Sequence, residues 1–259
     1  MISVVIRNKN QKEALTFLLK NLTERYAEDI SEILVIDNES TDGSIETAEL
    51  FGARVVTVKK FSYGGSANIA AKAATFPVVV IFSAHSYPIS HDFFKLILEK
   101  FHKNPKLAGL RCLHSPNDYR NYINNISATE DANRSGLIFS GSAFNKKVWE
   151  KHPFREDVST FEDKEWSKRV LDVGYHIEFV NAIFSYEIKR TRKQKFFRFK
   201  NDIVGNYQLW HTDFNFLDVV KQFFADVYGS FKRLFLDIYY SFKRLVFRIK
   251  FLLNKPSKF

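Results

Sequence analysis

Two kinds of apolar spacing alternate along the first part of the chain. Residues 2–6 (ISVVI), 33–36 (ILVI), 54–58 (RVVTV) and 78–82 (VVVIF) are short β-branched runs, and the uninterrupted ones have the pattern of strands buried on both faces of a parallel sheet. Between them the apolar residues follow helical spacing. Ala14, Leu15, Leu18, Leu19 and Leu22 share one face of a helix over 11–26. Ser40, Thr41 and Asp42 offer caps for a helix over 44–51, Gly52 stands where it would end, and 65–74 reads as a third helix. Strands separated by helices of this length imply right-handed crossovers and an α/β, Rossmann-like, mostly parallel sheet.

Beyond residue 105 the pattern loosens, with turns at Asn104-Pro105 and Ser115-Pro116-Asn117. A strand is expected over 137–140 before Gly141, a helix over 164–173 closed by Gly174, and a strand over 177–180. Residues 214–253 carry a long helical pattern with no proline, in which SFKRL occurs at 230–234 and again at 241–245. Phe224, Tyr228, Phe231, Phe235, Ile238, Phe242, Leu245, Ile249 and Leu252 alternate steps of four and three and form one continuous helix face.

Charge divides the chain where this pattern changes. The 259 residues, 45% of them hydrophobic, allow one large domain or two small ones with a real core. The net charge of +10 is not spread evenly: residues 1–188 carry 23 Lys and Arg against 24 Asp and Glu, and residues 189–259 carry 16 against 5. A near-neutral domain over 1–188 is therefore followed by a basic helical extension over 189–259. The single cysteine, Cys112, excludes an intramolecular disulfide framework and fits buried packing in a reducing compartment. The amino terminus has neither a charged leader nor a long apolar stretch, so no signal peptide is expected.

The strand ending at Asp37 places a carboxylate at the ligand edge of the sheet, followed by a turn into a helix start that favours anions. On its own Asp37, like Asp42, can equally cap its turn. The order SVVIRNKN, VIDNESTDGS, FGARVV, FSYGGSANIAAKAA, VVVIFSAHS and FEDKEW resembles the nucleotide-sugar-dependent glycosyltransferases of the GT-A fold, glycosyltransferase family 2, over about residues 1–185. The resemblance implies a nucleotide-sugar half over 1–105 and an acceptor half over 106–188. It implies that Asp37 binds the nucleobase of a UDP- or dTDP-linked donor, and that Arg7, Asn10, Ser40, Gly65, Asn68, Ser83 and His85 contact nucleotide or donor sugar. Arg7 stands where many members have proline. It further implies Asp163 of the pair Glu162-Asp163 as the base that deprotonates the acceptor hydroxyl during in-line, inverting attack. Gly141 and Trp166 are expected on the acceptor side, with the segment 113–134. From the pair alone, two carboxylates at a helix start can be plain charges on its dipole.

The family's metal-binding Asp-x-Asp is replaced by Ser83-Ala84-His85. The resemblance implies Mn2+ or Mg2+, yet Ser and His make a poor magnesium site, and manganese tolerates imidazole better. His85 is open to three readings here: a metal ligand, a direct donor to phosphate, or a structural residue. Lys189, Arg190, Arg192 and Lys193 could neutralise the diphosphate without a metal, or equally form a solvated basic loop or touch lipid headgroups; metal independence is the reading favoured. The basic extension has too many charges to span a bilayer. Its face suits an anionic membrane surface, a homodimer seam, or packing on the domain, in that order; nucleic acid is not expected. The function expected is transfer of a sugar to a glycan or lipid-linked acceptor at the cytoplasmic face of the cell membrane, in surface polysaccharide synthesis. The rival classes are a non-catalytic nucleotide- or glycan-binding descendant and a membrane or helix-binding scaffold.

Overall fold

The computed structural model describes residues 1–188 and 190–258. Strand β1 (Ile2–Asn8), helix α1 (Lys12–Arg25), β2 (Glu32–Asp37), α2 (Ser44–Leu50), β3 (Arg54–Thr57), α3 (Tyr63–Ala73) and β4 (Val78–Ser83) alternate as the spacing predicts. There follow β5 (Ser86–Pro88), α4 (Phe93–Lys103), β6 (Leu107–Leu113), α5 (Pro116–Ile123), α6 (Ala132–Ser135), β7 (Gly141–Asn145), α7 (Lys146–Lys151), α8 (Glu162–Asp172), β8 (His176–Tyr186), α9 (Arg192–Trp210) and α10 (Phe216–Leu253).

The strands form one sheet in the order β3-β2-β1-β4-β7-β6-β8-β5. β7 pairs antiparallel with both β4 and β6, and β5 pairs antiparallel with β8; the other pairings are parallel. Both faces of the centre are covered. Val78, Val80 and Phe82 pack with Leu15, Leu18 and Leu22 of α1 and with Phe93, Phe94 and Ile97 of α4. Val79 and Ile81 point the other way, onto Ala67, Ala70 and Ala71 of α3 and Trp166 and Val170 of α8. This two-sided burial explains why the strands read as unbroken apolar runs. α3 can approach closely because it is built of small residues; a Cβ on Gly64 would lie 1.9 Å from the Arg155 carbonyl oxygen.

The expected strand over 137–140 is not one. β7 starts at Gly141, and the LIFS run before it is irregular backbone whose polar groups are satisfied by side chains. Leu137 N donates to Ser167 Oγ, Ile138 N to Ser142 Oγ and Phe139 N to Asp163 Oδ2, each at 2.9 Å, and Phe139 O accepts from Arg7 Nη2 at 3.0 Å. β6 fills the stretch where the sequence pattern loosens.

The first compact unit is residues Met1–Trp210, so α9 belongs with the sheet and not with the extension expected from residue 189. The second is His211–Phe259, whose described part contains α10, capped by Asn215 Oδ1 accepting from Asp218 N at 2.9 Å. None of the residues of α10 is buried. The SFKRL repeat is part of a longer one. Residues 219–229 (VVKQFFADVYG), 230–240 (SFKRLFLDIYY) and 241–251 (SFKRLVFRIKF) are three successive 11-residue units. Such a period corresponds to about 3.67 residues per turn, so an apolar stripe runs almost along the axis of a straight helix. At about 100° per residue the uninterrupted apolar arc is about 140° wide. The first unit balances Lys221 with Asp226, whereas the third carries Lys243, Arg244, Arg248 and Lys250 with no acid. Among the described residues no helix is long and apolar enough to cross a membrane.

Candidate active site

At the carboxyl ends of β1 and β4 the strands are in register Arg7 with Ser83, and Asn8 pairs with Asp37 across to β2. There the chain opens a cavity of about 610 Å³, lined by β6, β8, the start of α8 and the first half of α9. Of the residues expected in a site, Arg7, Ser83, His85, Glu162, Asp163 and Arg190 line it.

Glu162 is 3% exposed. Arg7 Nη1 donates to its Oε1 at 2.9 Å, and the guanidinium lies 5.6 Å from the centre of the Phe139 ring. Burial, then the charge of Asp163, push the Glu162 carboxyl up to about 7, against the pull of Arg7. Asp163 is fixed by two backbone donors: Phe139 N to Oδ2 at 2.9 Å and Lys164 N to Oδ1 at 2.8 Å. The pair is aimed by Phe161, which caps α8 in the left-handed region at φ 65°, a strained conformation for an aromatic residue. α9 presses on this turn at Gly205, where a Cβ would meet the Phe161 ring and the Thr160 methyl at 2.7 Å.

His85 sits in the turn between β4 and β5, its ring 5.1 Å from that of Tyr186. Its Nε2 is buried without a hydrogen-bond partner among the described residues. Burial first, then the charges of Arg190 and Arg7, lower its pKa to about 4, so the imidazole is neutral near pH 7 and is not a cation for phosphate. A metal ion fits this setting poorly. Among the described residues no group of three or more His, Cys, Asp or Glu could hold one, a hard cation wants several oxygen ligands, and the charges felt by His85 are guanidinium groups.

The other expected residues serve the frame. Asp37 is 0% exposed; its Oδ2 accepts from Asn8 Nδ2 at 2.8 Å and its Oδ1 from Ser40 N at 2.7 Å, so the carboxylate is spent on holding its turn. Asn10 and Ser40 lock the turns after β1 and β2 together through Asn10 N to Ser40 Oγ and Thr41 N to Asn10 Oδ1, both 2.8 Å. They form a rim outside the cavity. Asn68 is fully engaged with the 149–156 segment, donating to Phe154 O and Glu156 Oε1 and accepting from Trp149 Nε1 and Phe154 N. Gly65 belongs to the cap of α3, donating to Ser62 Oγ at 3.0 Å. Trp166 and Gly141 are corrected from acceptor contacts to core positions. Trp166 is 0% exposed and donates to His152 O at 2.6 Å, and Gly141 is small because the Phe184 ring lies where a Cβ would be. Arg192 is exposed at the start of α9, away from the cavity lining. Lys189 lies outside the described residues.

Several lining residues were not among those expected. From β6 come Arg111 and, just after it, His114, both on Asp118. Arg111 Nε and Nη2 donate to Asp118 Oδ1 at 3.1 and 2.6 Å, and His114 Nδ1 rests against Oδ2. Burial pulls the Asp118 carboxyl up, but His114 and Arg111 outweigh it and hold it well below the usual range. From α8 comes Lys164, and from α9 Gln194, Phe197, Arg198, Asn201 and Asp202. The only hint in the sequence was the expectation that the segment 113–134 adjoins an acceptor.

Residues 3–168 match the family model described as glycosyl transferase family 2. The chain belongs to that family. Over 98 residues, 38% of the chain, it is 32% identical to an uncharacterised glycosyltransferase of Mycobacterium bovis, and the matched stretch spans 43% of that relative's length. Among solved structures, the mannosyltransferase of Pyrobaculum calidifontis in complex with GDP-Man and Mn2+ superposes with a TM-score of 0.65 at 18% identity, covering 82% of this chain and 65% of that one. Glucosyl-3-phosphoglycerate synthase of Mycobacterium tuberculosis, in complex with phosphoglyceric acid, gives 0.60 at 16% identity, covering 79% and 77%. At such identities the likeness establishes the fold, that of the GT-A glycosyltransferases. This family 2 chain carries Glu162 and Asp163 on the cavity wall, and Ser83-Ala84-His85 stands at its β4 edge.

Proposed function

We propose that the chain is an inverting glycosyltransferase that moves a sugar from a nucleoside-diphosphate donor to a glycan or lipid-linked acceptor at the inner face of the cell membrane, in surface polysaccharide synthesis. The observation that carries this is Asp163, held by two backbone donors on the wall of a cavity at the strand ends. Its carboxylate accepts the acceptor proton as the hydroxyl oxygen attacks the anomeric carbon from the face opposite the leaving group. The bond from anomeric carbon to diphosphate breaks, and the electrons leave with the diphosphate. Arg190 lines the cavity near the end of β4, where it can meet that charge with neutral His85 as a hydrogen-bonding neighbour. Arg7 keeps Glu162 in place rather than serving the donor directly. The UDP or dTDP base would lie against the rim of Asn10 and Ser40, with Asp37 acting through the turn it holds.

The test is release of nucleoside diphosphate from a panel of UDP-, dTDP- and GDP-sugars, with manganese or with chelator. Slow hydrolysis of one donor, surviving chelator, is the expected result. Activity abolished by chelator and restored by manganese would overturn the metal-free reading of the diphosphate, and silence with every donor would favour a non-catalytic descendant.

The membrane part of the proposal is supported by α10. Its wide apolar arc, its near-axial 11-residue stripe and the cations concentrated in its last unit suit a flat anionic surface better than a two-stranded seam crowded with Phe. Full-length protein is expected to sediment with phosphatidylglycerol vesicles and a chain truncated after Asp213 is not, with donor hydrolysis retained. Sedimentation of the truncated chain, or none of the full one, would refute this and favour a helical homodimer.

A further inference from the structure

Positive charge meets the cavity in two places, and a donor diphosphate at the β4 edge accounts for one. There Arg190 donates to the Tyr186 hydroxyl at 2.9 Å beside His85. The second group stands with α8 and α9. Lys164 follows Asp163 in the first turn of α8; its ammonium lies 5.1 Å from the centre of the Phe161 ring and donates to an amide oxygen, Asn133 Oδ1. Arg198, half exposed on α9, has Asp202 at 3.4 Å through a single nitrogen, and one oxygen of Asp202 is buried with no partner among the described residues. Asn201 lies between them in sequence and lines the same wall. Burial lowers the pKa of the Lys164 ammonium; Asp163, the next influence, raises it, and the charge of Arg111 then lowers it, with smaller effects of Asp131 and Arg198. Arg111 is already occupied by Asp118 and Gly136 O. Lys164 and Arg198 therefore remain as desolvated or loosely paired cations on the side of the cavity that carries the base.

We propose that the acceptor is an anion, a carbohydrate or lipid bearing a phosphate or carboxylate group, and that Lys164 and Arg198 hold this group, with Asn201 beside them, so that the acceptor hydroxyl faces Asp163. This rests on the reading of Asp163 as the acceptor-side base. An arginine suits such a group through its planar fork of donors, and a lysine as a point charge. The charge of the acceptor then fixes its position without any contact to the donor, and two separate anions share one cavity.

The experiment uses the full chain saturated with UDP, dTDP or GDP, whichever binds, and titrated with inorganic phosphate or, separately, with acetate, by calorimetry. One phosphate or one acetate per chain is expected to bind with the nucleotide in place; the better probe shows which acid the acceptor carries. Arg198→Gln and Lys164→Gln are expected to weaken that anion at least tenfold while changing nucleotide affinity less than twofold, and Arg190→Gln to do the reverse. Thermal transitions identify any variant that fails to fold, and the half-exposed Arg198 keeps the test available if Lys164→Gln does. Competition between phosphate and nucleotide for one site would overturn the proposal, as would equal losses of both in the two variants. Failure of the wild-type chain to bind any of the three nucleotides would overturn the donor reading itself, and is distinguished by that first step.

Discussion

Asp163→Asn is expected to preserve fold and nucleotide binding while lowering turnover about a hundredfold or more, the usual weight of a general base. The geometry makes this substitution clean. Both carboxylate oxygens accept from backbone N–H groups of Phe139 and Lys164, and an amide keeps one acceptor while turning its NH2 toward the other donor. That misfit costs about 1 kcal/mol, comparable to one neutral hydrogen bond, and leaves the chain folded. Steady-state transfer with the identified donor, beside nucleotide binding and a thermal transition, separates the effects. Wild-type turnover in the variant would remove Asp163 from the chemistry.

Arg7→Met is expected to cost about 3–5 kcal/mol of stability near pH 8, the range for breaking a buried ion pair from one side. Glu162 would be left 3% exposed without its cation. The loss depends on pH in a definite direction. The folded carboxyl titrates at about 7, above its ordinary 4.5. Its contribution to stability is therefore fully present below the ordinary value and is lost as pH rises through about 7. With Arg7 gone only a backbone hydrogen bond opposes that rise, so the variant is expected to lie closer to wild type at pH 5 than at pH 8 in urea unfolding. An equal loss at both values would mean that Arg7 acts instead through packing on Phe139 and on Tyr63, whose ring centre lies 5.9 Å from the guanidinium.

The half of the fold up to β4 was legible because burial on both faces writes strands as plain apolar runs and α1 as a clean helical stripe. The other half was obscured by polar residues inside it. β6 carries Gly109 and Arg111, whose charge is balanced by Asp118 several residues on, a compensation that spacing does not reveal. The LIFS run looked like a strand because its side chains are buried, although its backbone bonds to Arg7, Asp163, Ser142 and Ser167. In the site, Glu162 and Asp163 were readable by their place in the family pattern and Arg190 by its charge where the chain departs from that pattern, and all three line the cavity. Trp166 was misplaced because a residue four positions after Glu162 can face the core as easily as the cleft, and α9 was hidden because its basic charge made it look like part of the tail.

The position of β7 bears on how the chain matures. β1 to β4 can pair as soon as Ser83 has been made, but β4 then forms the margin of the sheet, presenting Val78–Ser83 with unmet backbone groups until Gly141–Asn145 arrives to pair with it. An apolar margin of this kind templates association with other chains. During synthesis the segment between β4 and β7 is thus an interval of exposure, and a chain that stops within it would meet its neighbours through the strand that later carries His85 at its end.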